Sequence, residues 1–142
     1  MKQKAIIVDI DGTICDNVTG RPWFGKGAAE GMLEDEPRTD LINMLRAYLN
    51  EYYLDLLVLT GRHEGIEEAV TKKWLDDNWF RPDKIFFRSK DDYSKAALYK
   101  EKVYIEEIEP YYNVIMVFED DDSCAKMFRD KGLLVLQPKN KN

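Results

Sequence analysis

Asp9 and Asp11 stand two positions apart, directly after the apolar run Ala5-Ile6-Ile7-Val8 and before Gly12-Thr13. Side chains alternate along a strand, so residues 9 and 11 can project the same way where it ends. Gly12 frees the backbone to turn sharply there. Two carboxylates held together repel unless a cation sits between them. This spacing suits a divalent metal, with one carboxylate aimed at a substrate. Two more sets share the context. Thr60-Gly61-Arg62 follows Leu56-Leu57-Val58-Leu59. Thr60 offers a hydroxyl and Gly61 a backbone N–H, and both suit an oxyanion. Arg62 either pairs with a carboxylate or holds a substrate phosphate. Glu119-Asp120-Asp121-Asp122 follows Val114-Ile115-Met116-Val117-Phe118. Acids also favour a helix start, and Asp121 and Asp122 are read as helix cap.

The elements that must position these residues alternate. Residues 4–9, 54–60, 84–88, 114–118 and 133–137 read as strands. Residues 39–52, 65–79, 93–109 and 122–131 read as helices, the first capped by Thr39 or Asp40. Such βαβα alternation predicts an α/β fold, a three-layer, doubly wound, Rossmann-like parallel sheet of about five strands. In such sheets ligands bind beyond the carboxyl ends of the strands, where the three sets would converge. The irregular stretch 14–37 is long enough to imply function, and the tail 138–142 is expected to fray. The 142 residues suit one domain, 1–142.

Composition narrows the class. Apolar residues make up 44% of the chain, which fits a globular protein. No stretch approaches a membrane span and the N-terminus lacks a signal-peptide pattern. Two cysteines, Cys15 and Cys124, make no disulfide framework. A cytoplasmic protein without a membrane partner is expected. The net charge of −6 argues against a long nucleic-acid footprint, though not against recognition of a strand end or a nucleotide.

Asp9-Ile10-Asp11-Gly12-Thr13 resembles motif I of the haloacid dehalogenase-like (HAD) phosphatases. The resemblance implies that Asp9 attacks phosphorus to give an aspartyl-phosphate, that Asp11 is the general acid and base, and that Thr13 lies on the substrate side. Thr60-Gly61-Arg62 resembles motif II, with Thr60 catalytic and Gly61 and Arg62 substrate-binding. The acidic run resembles motif IV. Glu119 and Asp120 align best as the metal-facing pair, giving Asp9, Asp11, Glu119 and Asp120 as the Mg²⁺ set, with Asp121 as the alternative one residue on. Magnesium prefers such oxygen ligands. A lysine must offset the repulsion between attacking carboxylate and phosphoryl group, and Lys95 and Lys100 are the candidates. The spacing from lysine to Pro110 to the acids resembles the phosphatase half of phage polynucleotide kinase-phosphatases and points to Lys100. Gly20-Arg21 resembles the substrate-side arginine of that family. The chain has no room for the separate cap domain of many relatives, so an open site is expected.

The function implied is a Mg²⁺-dependent polynucleotide 3′-phosphatase, with a kinase or ligase as possible separate partner. A small-molecule nucleotidase is the alternative. A phospho-acceptor signalling module ranks low, because Phe87-Arg88-Ser89 stands where it needs an Asp. Gly20 to Lys26 fits the Gly-x-x-x-x-Gly-Lys pattern, but Gly27 replaces the metal-binding hydroxyl and Pro22 removes an N–H. Trp23 and Phe24 either stack on a base or pack over the sheet edge. His63 reads as an exposed loop residue, and Trp74, Trp79 and Phe80 as core.

Overall fold

Ala5, Ile6, Ile7 and Val8 are apolar without alternation, and all four are buried. Such a run marks a strand covered on both faces. In the computed structural model, which describes residues 1–139, it is β1, Gln3–Val8. The chain continues through β2 (Cys15–Asp16), α1 (Ala28–Met32), β3 (Glu36–Pro37), α2 (Thr39–Tyr52), β4 (Asp55–His63) and α3 (Ile66–Asp77). Then come β5 (Lys84–Arg88), α4 (Ala96–Val103), a π-helical turn (Tyr104–Ile108), β6 (Tyr112–Phe118), α5 (Asp122–Asp130) and β7 (Val135–Leu136). Five strands form one parallel sheet in the order β5-β4-β1-β6-β7. Thus β4 and β6 flank β1, and their carboxyl ends lie on either side of Asp9. Among the described residues no cap domain interrupts this doubly wound α/β arrangement.

The two faces of β1 feed two cores. Ile6 and Val8 pack with Ile42 and Leu45 of α2 and Trp74 and Leu75 of α3. Ala5 and Ile7 pack with Tyr99 and Val103 of α4 and Ala125 and Phe128 of α5. Each fully buried Ile or Leu contributes about 1.5–3 kcal/mol of transfer free energy, so both helix layers are held to the sheet.

Several boundaries differ from expectation for local reasons. Strand β4 runs on through Thr60-Gly61-Arg62 to His63, because Arg88 of β5 pairs with His63 after a register shift. Helix 93–109 is α4 plus the π turn, closed by Glu109 N–H donating to Tyr104 O at 2.7 Å. The widened turn keeps both Tyr104 and Ile108 buried, Tyr104 edge-on to Phe128. The irregular stretch 14–37 contains α1 and the antiparallel β2–β3 pair. Arg38 holds the α2 cap position, with no side chain capping the helix, so neither Thr39 nor Asp40 caps it. Trp79 is exposed, at φ +55°, with Arg81 over its ring; Trp74 and Phe80 are core. The expected frayed tail lies partly outside the described residues, which include Pro138 and Lys139.

Candidate active site

Asp9 extends β1 by one ladder bond, its N–H donating to Phe118 O at 2.9 Å. The backbone then folds tightly, with Thr13 N–H and Ile14 N–H both donating to Ile10 O at 3.0 Å. Gly12 sits in the left-handed region at φ +78°, and a Cβ there would lie 2.1 Å from an Asp120 carboxylate oxygen. Glycine is thus required both for the turn and for the approach of β6's acids. The Thr13 hydroxyl donates to Asp9 Oδ2 at 3.1 Å and lies 3.4 Å from Asp120 Oδ1.

Lys100 crosses from α4 beneath these acids. It is buried, and its ammonium donates to Asp9 Oδ1 at 2.9 Å and to Glu119 Oε1 at 2.5 Å. Burial disfavours its charge, but Asp9 and then Glu119 outweigh that and hold its pKa well above the ordinary lysine value. Lys95 is exposed at the cap position of α4, away from these contacts. Glu119 Oε2 accepts from Asp121 N–H at 3.2 Å, and Asp121 caps α5 by accepting from Cys124 N–H at 2.9 Å. Asp9, Glu119 and Asp120 each offer an oxygen within 4.8 Å of the others. Three carboxylates face one lysine. Burial, then the hydrogen bond and charge of Asp9, push Asp120 up to about 7. Burial and Asp9 also push Glu119 well above the carboxylate range. A hard divalent cation fits this donor set, which is all oxygen and carries more negative charge than Lys100 offsets.

Asp11 lies outside that group, although expected among the metal ligands. Both its oxygens are taken by arginines: Arg62 Nε at 3.0 Å and Nη2 at 2.7 Å, and Arg21 Nη2 at 2.9 Å. Burial would raise its pKa, but the Arg62 bond and charge, with Arg21, hold it below the ordinary value. Of the two roles open to Arg62, its contacts are those of a carboxylate partner. The remaining N–H groups of Arg62 reach Thr71 Oγ1 at 2.9 Å and Asp35 Oδ2 at 3.0 Å. Arg21 grips Asp35 in bidentate fashion at 2.9 and 2.6 Å, and Gly31 leaves room for its stem, since a Cβ there would lie 2.8 Å away.

Asp35, Thr71 and Trp74 were not visible as site residues in the sequence. Asp35 is buried and its carbonyl accepts from Trp74 Nε1 at 2.9 Å. No motif or spacing marks it, because its partners come from residues 21, 62 and 74. Cys15 lies against the same cluster; burial, then the charge of Asp11, raise its pKa and leave the thiol inert. Thr60 is buried and its hydroxyl accepts from Arg62 N–H at 3.1 Å, with Gly61 half-buried beside it. His63 is no exposed loop residue: it ends β4, between Phe24 and Tyr93.

A central parallel strand ending in this acid pair, beside a buried lysine and a second acidic group, defines a HAD-like phosphatase domain. Residues 3–142 match the family model of the polynucleotide kinase PNKP phosphatase domain, and the chain belongs to that family. A curated relative, named a bifunctional polynucleotide kinase/RNA ligase, of Autographa californica nuclear polyhedrosis virus, is 30% identical over 128 residues. That match takes in 89% of this chain and 18% of the viral protein. Among solved structures, chains of two Pnkp1/Rnl/Hen1 complexes superpose with TM-scores of 0.86 and 0.87 at 23% and 24% identity. Each covers 99% of this chain, which spans 47% and 44% of theirs. A Thermotoga maritima protein assigned as a beta-phosphoglucomutase shares the fold at TM-score 0.52 and 15% identity, over 99% of this chain and 88% of its own. No helix among the described residues is long and apolar enough to cross a membrane.

Proposed function

We propose that this chain is a Mg²⁺-dependent phosphomonoesterase that removes a 3′-phosphate from nucleic-acid ends. The observation that carries the reading is Lys100 bridging Asp9 and Glu119 at the carboxyl edge of the sheet. Lys100 and the Thr13 hydroxyl fix the Asp9 carboxylate, so that it attacks phosphorus in line and takes the phosphoryl group. Lys100 then offsets the charge on the equatorial oxygens. Asp9, Glu119 and Asp120 would hold a magnesium ion, which when bound would supply further positive charge to the reacting phosphoryl group. Asp11 gives a proton to the leaving alcohol and takes one from the water that hydrolyses the aspartyl-phosphate, splitting one difficult displacement into two easier ones. The arginine contacts favour ionised Asp11. Its acid step therefore requires it to leave them and turn toward Asp9. Thr60 and the Gly61 backbone line the phosphoryl side.

The nucleic-acid assignment rests on the family and on the kinase and ligase named in its relatives, which also suggest a kinase or ligase as partner. The net charge of −6 favours a second reading, a nucleotidase acting on mononucleotides. Phosphate release is measured from a 3′-phosphorylated oligonucleotide and from 3′- and 5′-mononucleotides, with and without Mg²⁺. Preference for the oligonucleotide, lost on chelation, is expected. Preference for a mononucleotide selects the second reading, and metal-independent turnover contradicts both.

A further inference from the structure

Three aromatic rings from three segments of the chain meet at the rim beside Gly61. Phe24, from the loop after β2, places its ring edge 3.8 Å from where a Gly61 Cβ would stand. It lies edge-on to His63 at 6.2 Å between centroids. His63 in turn faces Tyr93, from the β5–α4 loop, at 5.6 Å and 40°. The imidazole is held from both sides, Nε2 lying 2.9 Å from Asp92 O and Nδ1 3.8 Å from Glu67. Phe24 is 50% exposed and Tyr93 82%. A ring that only anchors a loop is covered by it; here two exposed rings flank a mostly buried His63 that fixes their spacing, an exposed aromatic surface of the kind that binds. Trp23 turns elsewhere, into a cleft of about 880 Å³ beside Gly12 and Arg38.

Charge selects the occupant. A chain with net charge −6 cannot track many phosphates, so a strand held here must gain affinity from stacking, which every base permits. The row starts at Gly61, next to Thr60, where the phosphoryl group is placed above. The geometry points to a base-stacking platform of Phe24 and Tyr93, spaced by the mostly buried His63 between them, for the last bases of a single strand whose 3′-phosphate enters at Asp9. The inference rests on the proposed phosphatase reading and extends it to the nucleotides behind the reacting one.

Two measurements test it. In the first, a 3′-phosphorylated oligonucleotide with 5-iodouracil at the penultimate position is photocrosslinked to full-length protein, and the adduct is mapped by mass spectrometry. Adducts on Phe24 or Tyr93 are expected. In the second, kcat/KM for the oligonucleotide is divided by that for p-nitrophenyl phosphate. This ratio is expected to fall about 5- to 100-fold in Phe24→Ala and in Tyr93→Ala, mainly through KM. Tyr93→Phe restores it. Tyr93 is exposed enough that its variant folds even if Phe24→Ala does not. An unchanged ratio, adducts confined to Trp23, or loss of self-association in the variants instead overturns the platform. Adducts on these rings without hydrolysis of either ester would support the platform and remove the phosphatase reading.

Discussion

Two buried ion clusters lie side by side at the carboxyl edge of one sheet, and they are balanced differently. In the first, Arg21 and Arg62 meet Asp11 and Asp35, two cations to two carboxylates. In the second, Lys100 alone meets Asp9, Glu119 and Asp120. The consequences run in opposite directions: Asp11 is held below the ordinary carboxylate range, whereas Glu119 and Asp120 are pushed above it. Similar side chains at similar depth thus do different work. The neutral cluster is internally satisfied, and its arginines hold Asp11 until the proposed acid step draws it away. A cluster with surplus negative charge is suited to take up positive charge, and under the proposed function a magnesium ion would supply it.

The largest effect that could break this contrast is at the attacking group. Asp9→Asn is expected to lower turnover by about a thousandfold or more while circular dichroism and thermal melting stay native. Asp35→Ala attacks the balanced cluster and leaves Arg21 and Arg62 with surplus charge. Its cost is expected at about 3–5 kcal/mol in denaturant unfolding, the range for breaking a buried pair from one side. Asp120→Asn removes charge from the overloaded cluster. Without metal it is expected to leave stability unchanged or raise it, the opposite sign to Asp35→Ala. Mg²⁺ at about 100 times its Kd should stabilise the wild-type chain by roughly 2.7 kcal/mol, seen as a rise in Tm, and that rise should shrink in Asp120→Asn. The smallest effect lies outside both clusters: Asp121→Ala removes the α5 cap and costs about 1 kcal/mol.

The unbalanced cluster was largely legible in the sequence; of the balanced one, Asp11, Arg21 and Arg62 were legible as site residues, but Asp35, which ties the two arginines together, was not. Asp9, Glu119 and Thr60 each follow an uninterrupted apolar run, and the parallel topology such runs imply carries their ends to one edge. Lys100 needed a resemblance, because nothing in its local sequence separates it from Lys95; only the fold buries one and exposes the other. Asp35 had no comparable marker. It sits on an exit from the irregular stretch 14–37, and its importance arises from arginines 14 and 27 positions away. The same holds for β4, whose extension through Arg62 depends on pairing with Arg88. Burial of apolar runs is local information, whereas charge pairing across loops exists only after folding.

The central claim is that the Asp9 carboxylate carries the phosphoryl group during turnover. Borohydride reduces an acyl phosphate to an alcohol, so quenching steady-state turnover with it converts the modified aspartate to homoserine. Peptide mapping is expected to find homoserine at position 9, dependent on substrate and Mg²⁺. Homoserine at Asp11 or Asp120, 5-hydroxynorvaline at Glu119, or no reduced residue while phosphate is being released, would contradict the account.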